Sequence, residues 1–495
     1  MQTRIEARPL YLAAQVREMD RRVIAEGGEG FWLMRQAGEA AYALLRARWP
    51  RARRLCVLCG GGNNGGDGYV LAALAAADGL TVQLIALTPP DKLAGDARRA
   101  YELAAEAGLD ALGWRDELTL DGEVMIDAML GTGARGAPRG DVATAIAQLD
   151  AAGRPVMALD VPSGVDVDSG HVEGAAVRAT LTLTFIADKF GLHTGAALDH
   201  VGDLTLADLG VDAPAFTDLA PVAWCQDAQC LATALPPRRP SDHKGTHGHV
   251  LVIAGAPGMG GAALMTSEMV ARVGAGKVSL ATDAAHVAAS LTRFPEVMAH
   301  GVRGGADLAA LVAAADVIAV GPGIGTGAWG QAALQQALAV DKPCVVDADG
   351  LNLLAARESP TRRDAWVLTP HPGEAARLLG WSTAAVQRDR RGAVIALQQR
   401  WGGCVVLKGP GTLVYDGERL DLCPYGNPGM ASGGMGDALT GIVAGLLGQL
   451  GEPARAARLG VLIHALAADA ASAAGGQRGL LASDLASYAR RLANP

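Results

Sequence analysis

Asn427-Pro-Gly-Met-Ala-Ser-Gly-Gly-Met-Gly-Asp437 runs directly into an apolar pattern, with Leu439, Ile442, Val443, Leu446, Leu447 and Leu450 at helical spacing. A glycine loop feeding a helix start lets backbone N–H groups converge on a ligand where the helix dipole adds partial positive charge. That combination suits a phosphate or another developing anion. Asp437 falls in the first helical turn, beside those donors. A carboxylate there is a poor phosphate ligand but a good general base for a hydroxyl attacking a phosphoryl group. The plainer reading makes Asp437 an acid that complements the helix dipole. It leaves the four glycines in these eleven residues unexplained.

Upstream of this loop the second half reads as strands alternating with helices: Val250–Ile253, a helix from near Ala262, then Val278–Ala281, Val317–Val320, Val345–Asp347, Trp366–Thr369 and Val405–Leu407. Conspicuous residues gather at the strand ends, where ligands of such sheets bind. Asp347-Ala-Asp-Gly-Leu-Asn352 ends one strand, and Thr369-Pro-His-Pro-Gly-Glu374 ends the next, with His371 fixed between prolines. Lys408-Gly-Pro-Gly-Thr412 joins a cation, glycines and a hydroxyl, which suits a nucleotide phosphate but lacks the Walker spacing. A lysine loop, a glycine anion loop and an adjacent aspartate point to phosphoryl transfer onto a small-molecule hydroxyl.

The first half alternates in the same way. Helices are predicted over Tyr11–Glu26, Phe31–Trp49, Tyr69–Ala77, Ala94–Ala107 and Val142–Ala151, and strands over Leu55–Cys59, Thr81–Leu87, Val124–Leu130 and Val156–Val161. This is a mostly parallel sheet with helices on both faces. After its first strand comes Gly60-Gly-Gly-Asn-Asn-Gly-Gly-Asp-Gly68, whose glycines allow positive φ and close approach while Asn63, Asn64 and Asp67 offer polar groups. Asp127 precedes Gly131-Thr-Gly-Ala-Arg-Gly-Ala137, and the next strand ends in Asp160-Val-Pro-Ser-Gly-Val-Asp166. Hard oxygens on one rim could hold a monovalent or divalent cation. Lys189 reads either as a reach toward a ligand phosphate or as a solvated strand-end lysine, and His193 as structural.

The length of 495 residues calls for more than one core, and the Pro236-Pro-Arg-Arg-Pro240 stretch stiffens a connection. A boundary near Ala223 divides domains 1–222 and 223–495. A net charge of −8 and only 4% aromatic residues give no reason to expect nucleic-acid or anionic-membrane partners. Seven scattered cysteines fit a reducing, cytoplasmic setting, and a homo-oligomer is expected. Cys56 and Cys59 form a C-x-x-C inside a strand run, so they should face opposite sides of the sheet.

These motifs carry a resemblance. HKGTHGHVLVIAG, GPGIGTG, DADGLNLL, TPHPGE, LKGPGT and NPGMASGGMGD resemble the ribokinase-like ADP-dependent NAD(P)H-hydrate dehydratases, and GGGNNGGDG, IDAMLGTG and DVPSGVD the NAD(P)H-hydrate epimerases. Together the halves resemble the bifunctional nicotinamide-nucleotide repair enzymes over essentially the whole chain. The resemblance implies two three-layer αβα domains, an N-terminal Rossmann-like one with a mostly parallel sheet and a C-terminal ribokinase-like one. It also implies epimerisation of the R and S forms of NADH and NADPH hydrated at the nicotinamide ring, then ADP-dependent dehydration of the S form, giving AMP and phosphate.

On the family pattern Asn63, Asn64, Gly65, Gly66, Asp67, Gly131, Thr132, Gly133, Ala134, Arg135, Gly136, Ala137 and Asp160 would contact the hydrate in the first half. Asn64, Asp127 and Ser163 would hold a potassium ion, with Asp160 the candidate acid–base residue. In the second half Ala262, Gly323, His371 and Asp437 would face the hydrate, Asp437 as base. Lys408, Gly409, Pro410, Gly411, Thr412 and Gly436 would hold the nucleotide. Magnesium is expected for phosphoryl transfer. Gly350 and Met435 depart from residues common in relatives, which touches efficiency rather than identity. The rival readings are a vitamin-precursor kinase of the same fold, and a non-catalytic nucleotide-binding first half.

Overall fold

The computed structural model describes residues 7–26, 30–357 and 361–494. The chain divides into two compact units, Pro9–Ala223 and Trp224–Pro495, the second also taking in Ala7 and Arg8. Strands are numbered along the chain from β1 (Ala7–Leu10).

In the first unit the apolar runs become β2 (Arg54–Cys59), β3 (Thr81–Ala86), β4 (Leu112–Gly113), β5 (Val124–Ala128), β6 (Val156–Leu159), β7 (Leu181–Phe185) and β8 (Asp203–Ala207). They lie in the order β4-β3-β2-β5-β6-β7-β8, and every pairing is parallel. Strands buried on both faces need helices on both, and separate cores result on the two faces. Cys59 packs in one and Cys56 in the other, so the pair does face opposite sides and both thiols are free. The strand order reverses between β2 and β5, which puts the loops after those strands at the switch point.

One expectation fails here. The helix predicted from Tyr69 starts at Asn63, and none of the glycines from Gly60 to Gly68 has positive φ. Those glycines serve close approach instead. A Cβ on Gly60 would lie 1.9 Å from the Met129 carbonyl oxygen, so no larger residue fits where the two switch-point loops meet.

In the second unit the strands are β9 (Ala223–Gln226), β10 (His249–Ile253), β11 (Lys277–Thr282), β12 (Met298–Gly301), β13 (Val317–Val320), β14 (Cys344–Val346), β15 (Trp366–Leu368), β16 (Cys404–Leu407), β17 (Thr412–Tyr415) and β18 (Leu420–Cys423). The sheet order is β1-β9-β18-β17-β16-β15-β14-β13-β10-β11-β12. From β12 to β16 all pairings are parallel, while β17 and β18 return antiparallel. The order reverses between β10 and β13. The helices Gly260–Arg272, Met435–Leu450 and Pro453–Gly475 bury their apolar residues in the main core of this unit. Pro453–Gly475 is also the one described helix long and apolar enough to cross a membrane, and 67% of its apolar window is buried inside the protein.

Candidate active sites

In the first unit the rim at the switch point opens into a cavity of about 600 Å³. Asn63, Asn64, Asp67, Gly131, Thr132, Gly133, Ala134, Asp160 and Lys189 line it. The helix Ala13–Ala25 adds Arg17 and Asp20. Of the other residues expected there, Gly65 and Gly66 are buried within their helix, and Arg135 turns to Asp168 at 2.9 Å. Gly136 and Ala137 stand outside the lining.

Asp127, Ser163 and Asn64 come together behind the Leu130–Gly131 backbone. Ser163 Oγ donates to Asp127 Oδ1 at 2.6 Å and accepts from the Leu130 N–H at 2.9 Å, and the Ser163 N–H donates to Asp127 Oδ2 at 2.8 Å. Asn64 Nδ2 donates to the Leu130 carbonyl at 2.8 Å, and its buried Oδ1 has no hydrogen-bond partner among the described residues. Burial pushes the Asp127 carboxyl up to about 6, against the bonds from Ser163 and Met129. An orphaned amide oxygen beside a buried carboxylate and hydroxyl is a donor set a weakly hydrated cation fits.

Asp160 is the strained residue of this rim. Its φ is +61°, a left-handed conformation that a non-glycine residue keeps only where its surroundings impose it. The surroundings include Lys189, 1% exposed, whose Nζ donates to Asp160 Oδ1 at 2.7 Å, Thr184 Oγ1 at 2.8 Å and the Phe185 carbonyl at 2.7 Å. An ammonium has three donors, and all three are spent. Neither sequence reading of Lys189, phosphate ligand or solvated strand end, survives: it is a buried counter-ion. Asp160 Oδ1 also accepts from the Phe185 N–H at 3.3 Å, so Oδ2 is the oxygen left for a ligand. His193 is structural, as expected, bonded to Asp188 at 2.7 Å.

In the second unit, Ala262 and Gly323 meet at the switch between β10 and β13. A Cβ on Gly323, at φ +57°, would lie 3.2 Å from the Ala262 Cβ. Successive strand ends then bring in Asp347 after β14, His371 after β15 and Lys408 after β16. Lys408 Nζ donates to Asp347 Oδ1 at 2.8 Å and lies 3.9 Å from Glu374 Oε2. Thr440 Oγ1 donates to Asp347 Oδ2 at 2.8 Å. Burial works against the lysine's charge, but Asp347 and Glu374 outweigh it and hold the ammonium above its usual range. A Cβ on Gly436 would lie 3.2 Å from Lys408 Nζ, which puts the glycine loop against that cation.

Gly434 caps the helix Met435–Leu450 at φ +89°, and Asp437 sits in its first turn. Burial first, and then Asp347, push the Asp437 carboxyl up to about 7, with Lys408 partly offsetting them. His371 caps its own helix: Nδ1 accepts from the Gly373 and Glu374 N–H groups at 3.0 and 3.3 Å. Burial and then Lys408 disfavour its charged form. Two residues here escaped the sequence reading. Asp347 was visible only as part of a motif. Arg390, fully buried, donates from beneath the Lys408–Thr412 loop to the carbonyls of Leu407, Lys408 and Gly411 at 3.3, 3.3 and 3.4 Å. Thr412 Oγ1 is tied to the Gly409 carbonyl at 2.9 Å.

Comparison with known proteins covers both units. A family profile described as NAD(P)H-hydrate dehydratase matches residues 250–491, and one described as YjeF-related protein N-terminus matches residues 31–191. The chain is 47% identical over 491 residues to the bifunctional NAD(P)H-hydrate repair enzyme Nnr of Coxiella burnetii, covering 98% of this chain and 99% of that one. It is 44% identical over 468 residues to the enzyme of that name from Escherichia coli, covering 94% and 89%. Among solved structures, a ribokinase-like superfamily protein of Enterococcus faecalis aligns at 29% identity with a TM-score of 0.50, covering 55% of this chain and 96% of that one.

Proposed function

The chain belongs to the bifunctional NAD(P)H-hydrate repair enzymes, and from that premise we propose which groups carry its two reactions. The first unit epimerises hydrated NADH and NADPH, and the second dehydrates them. The whole-length likeness favours this over a vitamin-precursor kinase carrying an inert first half.

In the second unit Asp437 is the base. It takes the proton of the hydrate's hydroxyl as that oxygen attacks the terminal phosphorus of ADP. AMP leaves, the new C–O–P ester departs as phosphate, and loss of a ring proton restores the double bond. The observation that carries this is a carboxyl pushed up to about 7 in the first turn of a glycine-capped helix, with Lys408 at its side. A base of that strength ionises near neutral pH and still accepts a proton readily. Lys408, Gly409, Pro410, Gly411, Thr412 and Gly436 hold the nucleotide. Ala262, Gly323 and His371 face the hydrate. Among the described residues no group of three or more His, Cys, Asp or Glu side chains is placed to hold a metal ion. Magnesium, which favours phosphate oxygens, would enter bound to the nucleotide.

In the first unit Asp160 exchanges protons with the substrate through Oδ2, held by Lys189. Asn63, Asn64, Asp67 and Gly131 to Ala134 form the walls. The Asn64, Asp127 and Ser163 oxygens fit potassium, which would supply a fixed positive charge behind the Leu130–Gly131 loop. For its setting we infer a cytoplasmic homo-oligomer that acts on small molecules alone.

The test mixes the protein with both epimers of hydrated NADH and follows recovery of the reduced-nicotinamide absorbance with ADP, with ATP and with neither. Full recovery with ADP is expected. Recovery that stalls partway removes epimerisation from the first unit, and no recovery with either nucleotide removes dehydration from the second.

A further inference from the structure

Asp67 shares the cavity of the first unit with Asp160, but the two carboxyls stand in opposite surroundings. Asp160 has a cation of its own at 2.7 Å. Asp67, on the helix Asn63–Ala77, is 8% exposed, and among the described residues no hydrogen bond or ion pair reaches its carboxyl. Leu33, Met34 and Ala37 supply apolar wall beside it. The charged groups that face the same cavity are Arg17 and Asp20 from Ala13–Ala25, Asp96 from Gly95–Glu106, and Asp160 with Lys189. Burial, then Asp160 and Asp20, favour the protonated form of Asp67 more than Lys189 opposes it. One carboxyl held by a cation and one with no such partner, in a single cavity, offer a base and an acid.

We propose that Asp67 is a second catalytic group of the epimerase unit, a proton donor that works opposite the Lys189-held carboxylate of Asp160. This rests on the reading of Asp160 given above.

Adding water to the ring's nitrogen-bearing double bond puts the hydroxyl on the carbon attached to nitrogen, so that carbon can lose the hydroxyl again with help from the nitrogen lone pair. Asp67 gives its proton to the hydroxyl. The C–O bond breaks, water leaves, and the nitrogen lone pair forms a planar C=N⁺ bond. A water on the opposite face adds to that carbon, returning the C=N electron pair to nitrogen, and gives its extra proton to Asp160. The product is the other epimer, with Asp67 ionised and Asp160 protonated. The reverse reaction starts from that state, or exchange with solvent resets it. No oxidant, reductant or metal is required.

The decisive measurement runs the wild-type enzyme on one epimer in water enriched in oxygen-18, without nucleotide, and reads the hydrate by mass spectrometry at early times. One solvent oxygen is expected to enter with each inversion. Asp67→Asn should lose about 100-fold or more in epimerisation kcat with KM nearly unchanged, and Asp67→Glu should recover part of it. Calorimetric binding of the hydrate to Asp67→Asn checks that the variant folds. Inversion with the original oxygen retained overturns the proposal, as does an Asp67→Asn enzyme with unchanged kcat and only a raised KM. An Asp160→Asn enzyme with undiminished rate overturns instead the reading on which the pairing rests, a result separate from the other two.

Discussion

Replacing Asp347 by Asn tests whether the buried pair behind the glycine loop sets the strength of the base. Asp437 is pushed from the ordinary 3.8 to about 7, burial contributing most, Asp347 next, and Lys408 acting in the opposite sense. Like unit charges ~6 Å apart at an effective dielectric constant of ~20 repel by ~3 kcal/mol, ~2 pH units. Because Asp347 is itself paired with Lys408 at 2.8 Å, a shift of about one unit is expected from its removal. The sign is fixed: the substitution removes a like charge from beside Asp437 while Lys408 keeps its own, so the pKa falls. Dehydration needs that carboxylate, so kcat/KM should rise with pH through about 7 in the wild type and about one unit lower in the variant. Between pH 8 and pH 6 the wild type should lose about tenfold and the variant about twofold. The assay is recovery of reduced-nicotinamide absorbance at low hydrate and saturating ADP. The position of the limb is read and not its height, since a displaced Lys408 lowers the rate throughout. A limb that stays put or moves to higher pH refutes the assignment of Asp347 as the residue that tunes Asp437.

Folding raises the Asp437 carboxyl from 3.8 to about 7, so the native protein keeps a proton there that the unfolded chain has lost, and stability falls as pH rises across that window. Asp437→Asn should abolish dehydration, spare epimerisation and, at pH 8, stabilise the protein by on the order of 3 kcal/mol, with no gain at pH 4; thermal melts at the two pH values decide it. Lys189→Met leaves the Asp160 carboxylate largely buried and unpaired, an expected loss of about 3–5 kcal/mol that Asp160→Asn in the same chain should largely restore. A single variant as stable as wild type would show that the ion pair does not hold this rim. Asn64→Leu removes the orphaned buried oxygen and should erase any stimulation of epimerisation by potassium while leaving dehydration unchanged, checked by titrating potassium against sodium in both assays.

What could be read from the chain was whatever repeats or punctuates. Apolar runs between glycine-rich loops marked most strands of both sheets, because a parallel sheet buried on both faces needs such runs. The hairpin Thr412–Tyr415 and Leu420–Cys423 was missed, each strand being only four residues long. The start of the helix at Asn63 was missed for a different reason. Asn-Asn-Gly-Gly-Asp-Gly has poor intrinsic helix propensity, yet its glycines are needed for packing: a Cβ on Gly65 would lie 2.0 Å from the Gly60 carbonyl oxygen and one on Gly68 2.6 Å from the Ala128 Cβ. Tertiary packing overrides local preference there, and no local pattern announces it. Asp437, by contrast, needed only its spacing from the glycines to be placed.

The buried cations were the least legible part, and they explain why the two halves ask different things of their carboxyls. Composition assigns lysine and arginine to solvent, so nothing in the sequence marked Lys189 or Arg390 as core residues. Each unit in fact pairs a lysine with an aspartate at its rim: Lys189 on Asp160 at 2.7 Å, Lys408 on Asp347 at 2.8 Å. On the proposed reading the paired carboxylate of the first unit is itself the reactive group, the lysine holds it aimed, and the proton donor is its neighbour Asp67. In the second unit the pairing falls on Asp347, and Asp437, the base on the proposed reading, is left to the opposing pull of burial and Asp347 against the lysine. One device thus gives an anchored anion where two proton transfers must alternate, and a base poised near neutrality where a single hydroxyl must be activated.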